Sequence, residues 1–321
     1  MRLVSCLTVA LATASLNAGL VAEFMSKSGE QRVSRDSLEA HVRELADTIG
    51  ERNIFHPEAL TAAADYLRQT WQQQGYQVTD QTYEARGVES ANLEVSRPGT
   101  LRPEEILLIG AHYDSVAGSP GADDNASGVA VLLELSRLFV RVEPEITVRF
   151  VAFVNEEPPF FYWGEMGSKI YARAARARGD RIRLMISLES IGYYSDEPGS
   201  QRYPPLFRFF FSDRGDFLGF VSNFSSRRWL RRTVEPFEAR SDLPTESVEM
   251  FSWVPGIGWS DHLPFWKEGY PAMMVTDTAL YRTPYYHTAE DTLDKLDYGS
   301  MTRATEGLFH AFCSLAGSDL P

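Results

Sequence analysis

The chain has 321 residues, 44% hydrophobic, 12% aromatic and 23% charged, which excludes wholesale disorder, collagen and a coiled coil. Its 31 basic and 44 acidic residues leave a net charge of −13, a poor match to nucleic-acid phosphates, so no nucleic-acid partner is expected. Two cysteines, Cys6 and Cys313, exclude a disulfide scaffold and a cysteine-rich zinc site.

Arg2 and a largely apolar run over residues 3–22 read as a signal peptide, with Ala12-Thr13-Ala14 as a small-residue cleavage site. The alternatives are an uncleaved membrane anchor, since the run approaches spanning length, or a mispredicted start codon. Residues 1–24 are therefore set apart from one globular domain over 25–321. That domain is expected to be exported, periplasmic or extracellular, with no stable membrane association once a signal is cut. Leu38, Val42, Leu45 and Ile49 repeat at helical spacing behind a Ser34 or Asp36 cap. Pro57 opens a second helix, with Leu60, Ala63, Ala64, Leu67 and Trp71 on one face and Gly75 as its stop. Strand-like pieces follow at 76–78 and 92–96. Ile106-Leu107-Leu108-Ile109-Gly110 reads as a strand buried on both faces. Helices are expected at 128–140 and 168–178, strands at 147–154, 182–188 and 271–276, and a closing helix at 302–315. Residues 193–205 read as a loop, and 227–255 as a charged, irregular loop region. The alternation predicts an α/β fold: a single globular domain with a mainly parallel mixed central sheet flanked by helices.

Active sites of open α/β sheets gather beyond the carboxyl ends of the strands. Each buried strand here runs into unusual polar residues. The first leads to His112-Tyr113-Asp114-Ser115, the second to Asn155-Glu156-Glu157 and the third to Glu189. Tyr286-His287-Thr288 follows the last strand after about a dozen residues, and Gly121-Ala122-Asp123-Asp124-Asn125-Ala126-Ser127-Gly128 joins the first strand to its helix. Singly, such residues are more often packing residues, helix caps or solvated acids. Together, four strand ends would bring two histidines and several carboxylates into one pocket. Packed like charges repel unless cations neutralise them. Imidazole and carboxylate without thiolate suit zinc or another divalent metal, and a spare carboxylate suits a general base.

These four segments, in this order, resemble the co-catalytic dizinc metallopeptidases. That family holds the secreted bacterial aminopeptidases, the glutamate carboxypeptidases and the glutaminyl cyclases. The resemblance runs from about Val33 to the C-terminus and implies the zinc-peptidase, phosphorylase/hydrolase-like fold. It implies that Asp124 bridges two Zn2+, that His112 and Glu189 complete one site, and that Glu157 and His287 complete the other. Glu156 would be the general base toward a metal-bridged water, and Tyr286 would hydrogen-bond the oxyanion. Asp114 would orient His112 from behind, and the Asp124–Asn125 peptide would be cis. Glu189 departs from the Asp of many members but matches a bacterial branch.

The implied activity is a zinc-dependent aminopeptidase acting on peptides with a free N-terminus. The alternative is a glutaminyl-peptide cyclotransferase with one zinc. A non-catalytic binding domain would have lost ligands or base, and none is missing. A carboxypeptidase for acidic dipeptides would want a cluster of arginines, and beyond Arg282 none is evident. Asp261 and His262 read as structural or substrate-facing, and His41, His56 and His310 as surface or packing residues. Phe160-Phe161-Tyr162-Trp163, Phe251, Trp253 and Trp259 read as either an aromatic substrate wall or core. The oligomeric state is left open.

Overall fold

The Ser34 hydroxyl accepts the Ser37 N–H at 3.1 Å, which caps the first helix as the spacing predicts. The computed structural model describes residues 32–161, 164–204 and 207–318, so the expected signal or anchor at 1–24 lies outside the described residues. Helix α1 (Arg35–Arg43) widens into a further turn at Glu44–Ile49. Helix α2 (Pro57–Gln73) buries Leu60, Ala63, Ala64, Leu67 and Trp71, the predicted stripe. Strands β1 (Thr79–Ala85) and β2 (Val88–Arg97) form a hairpin turned at Arg86-Gly87, both residues having positive φ. Two-residue turns of that kind fix the register of a hairpin. The first strand therefore starts after residues 76–78, where Tyr76 instead donates its hydroxyl to the Ser136 carbonyl.

The remaining elements are β3 (Arg102–His112), α3 (Gly128–Phe139), β4 (Ile146–Phe153), α4 (Gly167–Arg178), β5 (Arg181–Glu189), β6 (Leu218–Ser222), α5 (Arg227–Glu238), β7 (Thr245–Glu249), α6 (His262–Lys267), β8 (Ala272–Thr276) and α7 (Tyr298–Ala316). All eight strands lie in one sheet, in the order β1-β2-β4-β3-β5-β8-β6-β7. The centre is parallel: β3 pairs with β4 and β5, and β5 with β8. Antiparallel pairs at β1/β2, β2/β4 and β8/β6 make the sheet mixed.

The central strands are apolar throughout because both faces are covered. Ile106, Leu108, Val151 and Phe153 pack with Tyr171 and Ala175 of α4 and Phe265 of α6. Alternate positions such as Leu107 and Ile109 turn to the other face, where α3 lies against β3, β4 and β5 and packs on α1 and α7. Phe153 meets Tyr171 edge-on at 5.7 Å, a favoured aromatic geometry. Among the described residues no helix is long and apolar enough to cross a membrane.

One stretch departs from expectation. Residues 227–255 are not irregular: they hold α5 and β7, and β6 precedes them. Trp229, Leu230, Thr233 and Phe237 are buried at helical spacing on α5. The paired arginines and the internal Pro236 mask that stripe in the sequence. β6 and β7 are five residues each, too short to show a period.

Candidate functional site

The parallel strands deliver their polar ends to one place. His112 ends β3, Glu189 ends β5, and Glu156 and Glu157 follow β4 directly. Asp124 comes from the tight turn before α3, and His287 from the loop after β8. His112 Nε2 lies 3.3 Å from Asp124 Oδ1 and 3.3 Å from Glu189 Oε2. His287 Nε2 lies 3.1 Å from Asp124 Oδ2 and 3.3 Å from Glu157 Oε2. Asp124 thus offers one oxygen to each of two groups of three donors, and within each group the donor atoms lie within 4.8 Å of one another.

The backbone is bent to make this possible. The Asp124–Asn125 peptide is cis, and Asn155, Ser190 and His287 have positive φ of 58°, 50° and 59°. Left-handed non-glycine residues cluster at functional sites because neighbouring contacts hold them there. The Asn125 side chain accepts from the Ser190 and Gly128 N–H groups and donates to the Leu188 carbonyl at 2.9 Å. Gly121 sits at φ 61°, and a Cβ there would meet the Ser115 Cβ at 2.7 Å.

A ring of carboxylates fixes the loops. Asp114 accepts the Glu156 and Glu157 N–H groups, one on each oxygen, at 3.1 Å. Its Oδ1 is 3.6 Å from His112 Nδ1, while its carbonyl is nearer at 3.2 Å. So Asp114 positions the Glu156-Glu157 turn as well as backing His112. Asp291 does the same for the other loop, accepting the Asp123 N–H at 2.9 Å and the Asp124 N–H at 3.2 Å. Ser260 donates its hydroxyl to Glu189 at 2.6 Å.

Arg52 was not legible as part of this site. Its guanidinium is fully buried and donates to the carbonyls of Tyr113 at 2.6 Å and Gly121 at 2.9 Å, and also to those of Leu45, Gly50 and Pro120. Burial pulls its pKa down to about 10, and the fields of Asp114, Asp291, Asp124 and Glu157 oppose that. An isolated arginine in a polar stretch carries no sequence signal of this kind.

Burial pushes the Glu156 and Glu157 carboxyls up, Glu157 to about 8. It works against charge on Asp124 too, but His112 and His287 hold that carboxyl below its usual range. The same carboxylates overcome burial at His287 and lift it to about 10. With no cation counted, the acids draw protons onto both imidazoles. A bound metal displaces such protons. His112 Nε2, Asp124 Oδ1, Glu157 Oε1 and His287 Nε2 are buried without a hydrogen-bond partner among the described residues. Donors about 2.0–2.1 Å from a tetrahedral centre stand roughly 3.4 Å apart, close to the separations here. The residues fit a pair of divalent cations.

Tyr286 stacks on the His287 ring at 3.8 Å and, with Glu189, lines an open cleft. The cleft wall is apolar: Phe207, Phe211, Phe217 and Phe220 from the segment before and within β6, Ile257 and Trp259, and Met274 of β8. Of the aromatics singled out in the sequence, only Trp259 lines it among the described residues. Phe160 packs with Ala85 and Met166 instead, Phe251 and Trp253 are exposed, and Tyr162 and Trp163 lie outside the described residues. His262 is buried, with Nε2 2.8 Å from the Ile257 carbonyl, and belongs to neither donor group. Asp261 is also buried, and both its oxygens lack a hydrogen-bond partner among the described residues. His41 meets Tyr66 at 2.6 Å, and His56 is exposed beside Glu51. Arg282 is buried against Gln201 and the Phe217 ring and forms no arginine cluster at the donors.

The model of peptidase family M28 matches residues 92–312, which include every donor named above. The chain belongs to peptidase family M28. An uncharacterised Escherichia coli (strain K12) protein, YfbL, is 38% identical over 290 residues, covering 88% of either chain. Aminopeptidase YwaD of Bacillus subtilis (strain 168) is 27% identical over 214 residues, 65% of this chain and 41% of its own length. The M28 fold is shared with the aminopeptidase of Aneurinibacillus sp. strain AM-1, at a TM-score of 0.69 and 17% identity over 89% of this chain and 95% of that one. It is shared equally with the glutaminyl cyclase of Bacteroides thetaiotaomicron, at a TM-score of 0.65 and 18% identity over 90% and 99%. The M28 domain is thus a hydrolase of a zinc metallopeptidase family, on a fold that also serves a cyclase.

Proposed function

We propose that the protein is a metallo-aminopeptidase that hydrolyses the N-terminal peptide bond of peptides with a free N-terminus. The observation that carries this reading is Asp124, shared by two donor groups, one of which reaches an apolar cleft through Glu189. His112, Asp124 and Glu189 would hold one Zn2+, and Asp124, Glu157 and His287 the other. Zinc in those positions would polarise the scissile carbonyl and lower the pKa of water. Glu156 belongs to neither donor group, and its backbone N–H is held by Asp114. Its carboxylate takes a proton from the attacking water and returns it to the leaving amine. Tyr286 donates its hydroxyl to the developing oxyanion, and burial keeps that hydroxyl protonated. The apolar cleft receives the first side chain, and the surrounding carboxylates attract the substrate ammonium.

The cleft also favours this reading over the cyclase. A glutamine amide buried against phenylalanines would lose its hydrogen bonds to water. Residues 1–24 are assigned to export or anchoring, and 25–321 to the catalytic domain.

The test is metal content and products measured on one purified sample. Two zinc ions per chain with loss of the first residue from a peptide is the expected result. One zinc with loss of ammonia from an N-terminal glutaminyl peptide would make the protein a cyclase. Glu156→Gln should keep its metal and lose about 10²- to 10⁴-fold in turnover. Ordinary turnover by that variant would remove Glu156 from the role of base.

A further inference from the structure

Phe55, Leu101 and Val140 are exposed elsewhere, but most of the exposed large apolar side chains among the described residues gather in one region. Among the described residues, Phe209 is 68% exposed, Phe210 80%, Phe251 53% and Trp253 76%. They occupy two loops that border one cleft: Phe207 and Phe211 line it on either side of the first pair, and Val254 lines it directly after Trp253. Phe251 stacks on Trp253 at 5.7 Å and meets the exposed Phe224 at 4.9 Å, so the second loop presents a continuous aromatic ridge. Rings held this way in water are a standing cost to the isolated protein, and contiguous patches mark interaction surfaces.

The charge beside them runs against the rest of the chain. Residues 202–240 contain eight arginines and four acids, a balance of +4 in a chain of −13. Arg208 lies over the Phe209 ring at 4.9 Å. Arg227, Arg228, Arg231 and Arg232 are exposed on the first turns of α5, just beyond Phe224, and none of them is in an ion pair among the described residues. Asp242, Glu246 and Glu249 follow on the β7 side, where Glu246 faces the cleft.

We propose that this aromatic and arginine face docks on an anionic lipid surface. The rings enter the headgroup boundary and the arginines meet phosphate. Aromatic side chains beside arginines are the chemistry of peripheral bilayer binding. A second copy of the chain fits less well, because a two-fold contact through this face sets arginine against arginine. A nucleic-acid strand needs a continuous basic track, and the three acids near β7 interrupt it. Read as a signal or as an anchor, the apolar run at 3–22 would bring the chain to a membrane.

Full-length protein is mixed with vesicles of phosphatidylcholine alone, or of phosphatidylcholine and phosphatidylglycerol in equal parts. Brominated acyl chains report tryptophan insertion, and sedimentation reports binding. Tryptophan fluorescence should be quenched in the anionic vesicles, and Trp253→Phe should remove most of that quenching. Arg227→Gln with Arg228→Gln should weaken binding to anionic vesicles by about tenfold or more. Turnover of a soluble aminoacyl-arylamide should stay within about twofold in these variants, since none of the three residues lines the cleft. Absent quenching, or equal quenching in Trp253→Phe, would overturn the proposal. So would a concentration-dependent dimer that Trp253→Phe disrupts while vesicles leave fluorescence unchanged.

Discussion

The strand-end cluster and the segment from β6 to β7 meet at the same cleft but are built on opposite terms. In the cluster, charged groups are buried and side chains accept several loop N–H groups. Asp114, Asp291 and Asn125 each accept two backbone N–H groups. In the second region the helix face and loops carry exposed rings and exposed arginines, Arg228 and Arg232 lying over the Trp229 ring, and the inner wall is apolar. A pre-organised polar site must be rigid to aim its donors, whereas a recognition wall needs only volume and apolar surface. Substitutions should therefore cost far more in the cluster than in the segment.

The largest difference is expected at Asp124. Asp124→Ala removes a donor from both groups at once, so metal and turnover should be lost together, measured by elemental analysis and arylamide hydrolysis. Retained stoichiometry would refute a shared carboxylate. Next comes Arg52→Met, which takes the donor from the buried Tyr113 carbonyl and withdraws the cation facing four acids. A cost of about 3–5 kcal/mol in denaturant unfolding is expected. Arg231→Met, exposed on α5, should change stability by no more than about 0.5 kcal/mol. Equal effects would erase the contrast between the two regions.

The contrast also explains what the sequence conveyed. The site was legible because its chemistry needs rare residue types at the ends of unmistakably apolar strands. His112, Glu189 and the Glu156-Glu157 pair sit where β3, β5 and β4 stop. Asp124 was legible through the glycine-flanked turn, whose Gly121 and Gly128 leave no room for a side chain. Arg52 and Asp291 were not read, because they act on backbone groups far away in the chain, and no local period marks such a partner. α5 was misread because its stripe is interrupted by arginine pairs and a proline. The cleft wall was left undecided for a related reason: side chains of core and cleft look alike until β6 pairs with β8 and sets Val221 beside Met274 and Ile257. The sequence left Phe160 open between substrate wall and core, and it is core, packed with Ala85 of β1 and Met166.

His262 offers a sharper test of how much the buried layer beneath the cleft contributes. Burial lowers its pKa to about 4, and the folded state holds it neutral, with Nε2 against the Ile257 carbonyl. Its ordinary value is 6.5, so between pH 6.5 and 4 the unfolded chain binds a proton that the folded chain does not. The contribution is whole above pH 6.5 and is lost as pH falls toward 4, up to roughly 3 kcal/mol. The difference in unfolding free energy between wild type and His262→Gln should narrow by that amount over the window. A constant difference would mean that His262 is protonated in the fold.

Asp291→Ala separates positioning from ligation, with a graded effect on metal affinity. Asp291 touches no donor atom of either group; it fixes the Asp123 and Asp124 N–H groups. Partners of this kind typically contribute about 10- to 100-fold in metal affinity. Competition with a chelator should show a loss in that range, and saturating zinc should restore most of the turnover. Asp124→Ala should not be rescued at any zinc concentration, because the donor itself is gone. If zinc fails to rescue Asp291→Ala, the turn has collapsed and Asp291 holds the loop as a whole. If affinity is unchanged, Arg52 and the Asn125 contacts suffice to aim Asp124, and the rigidity of the cluster rests on those two residues.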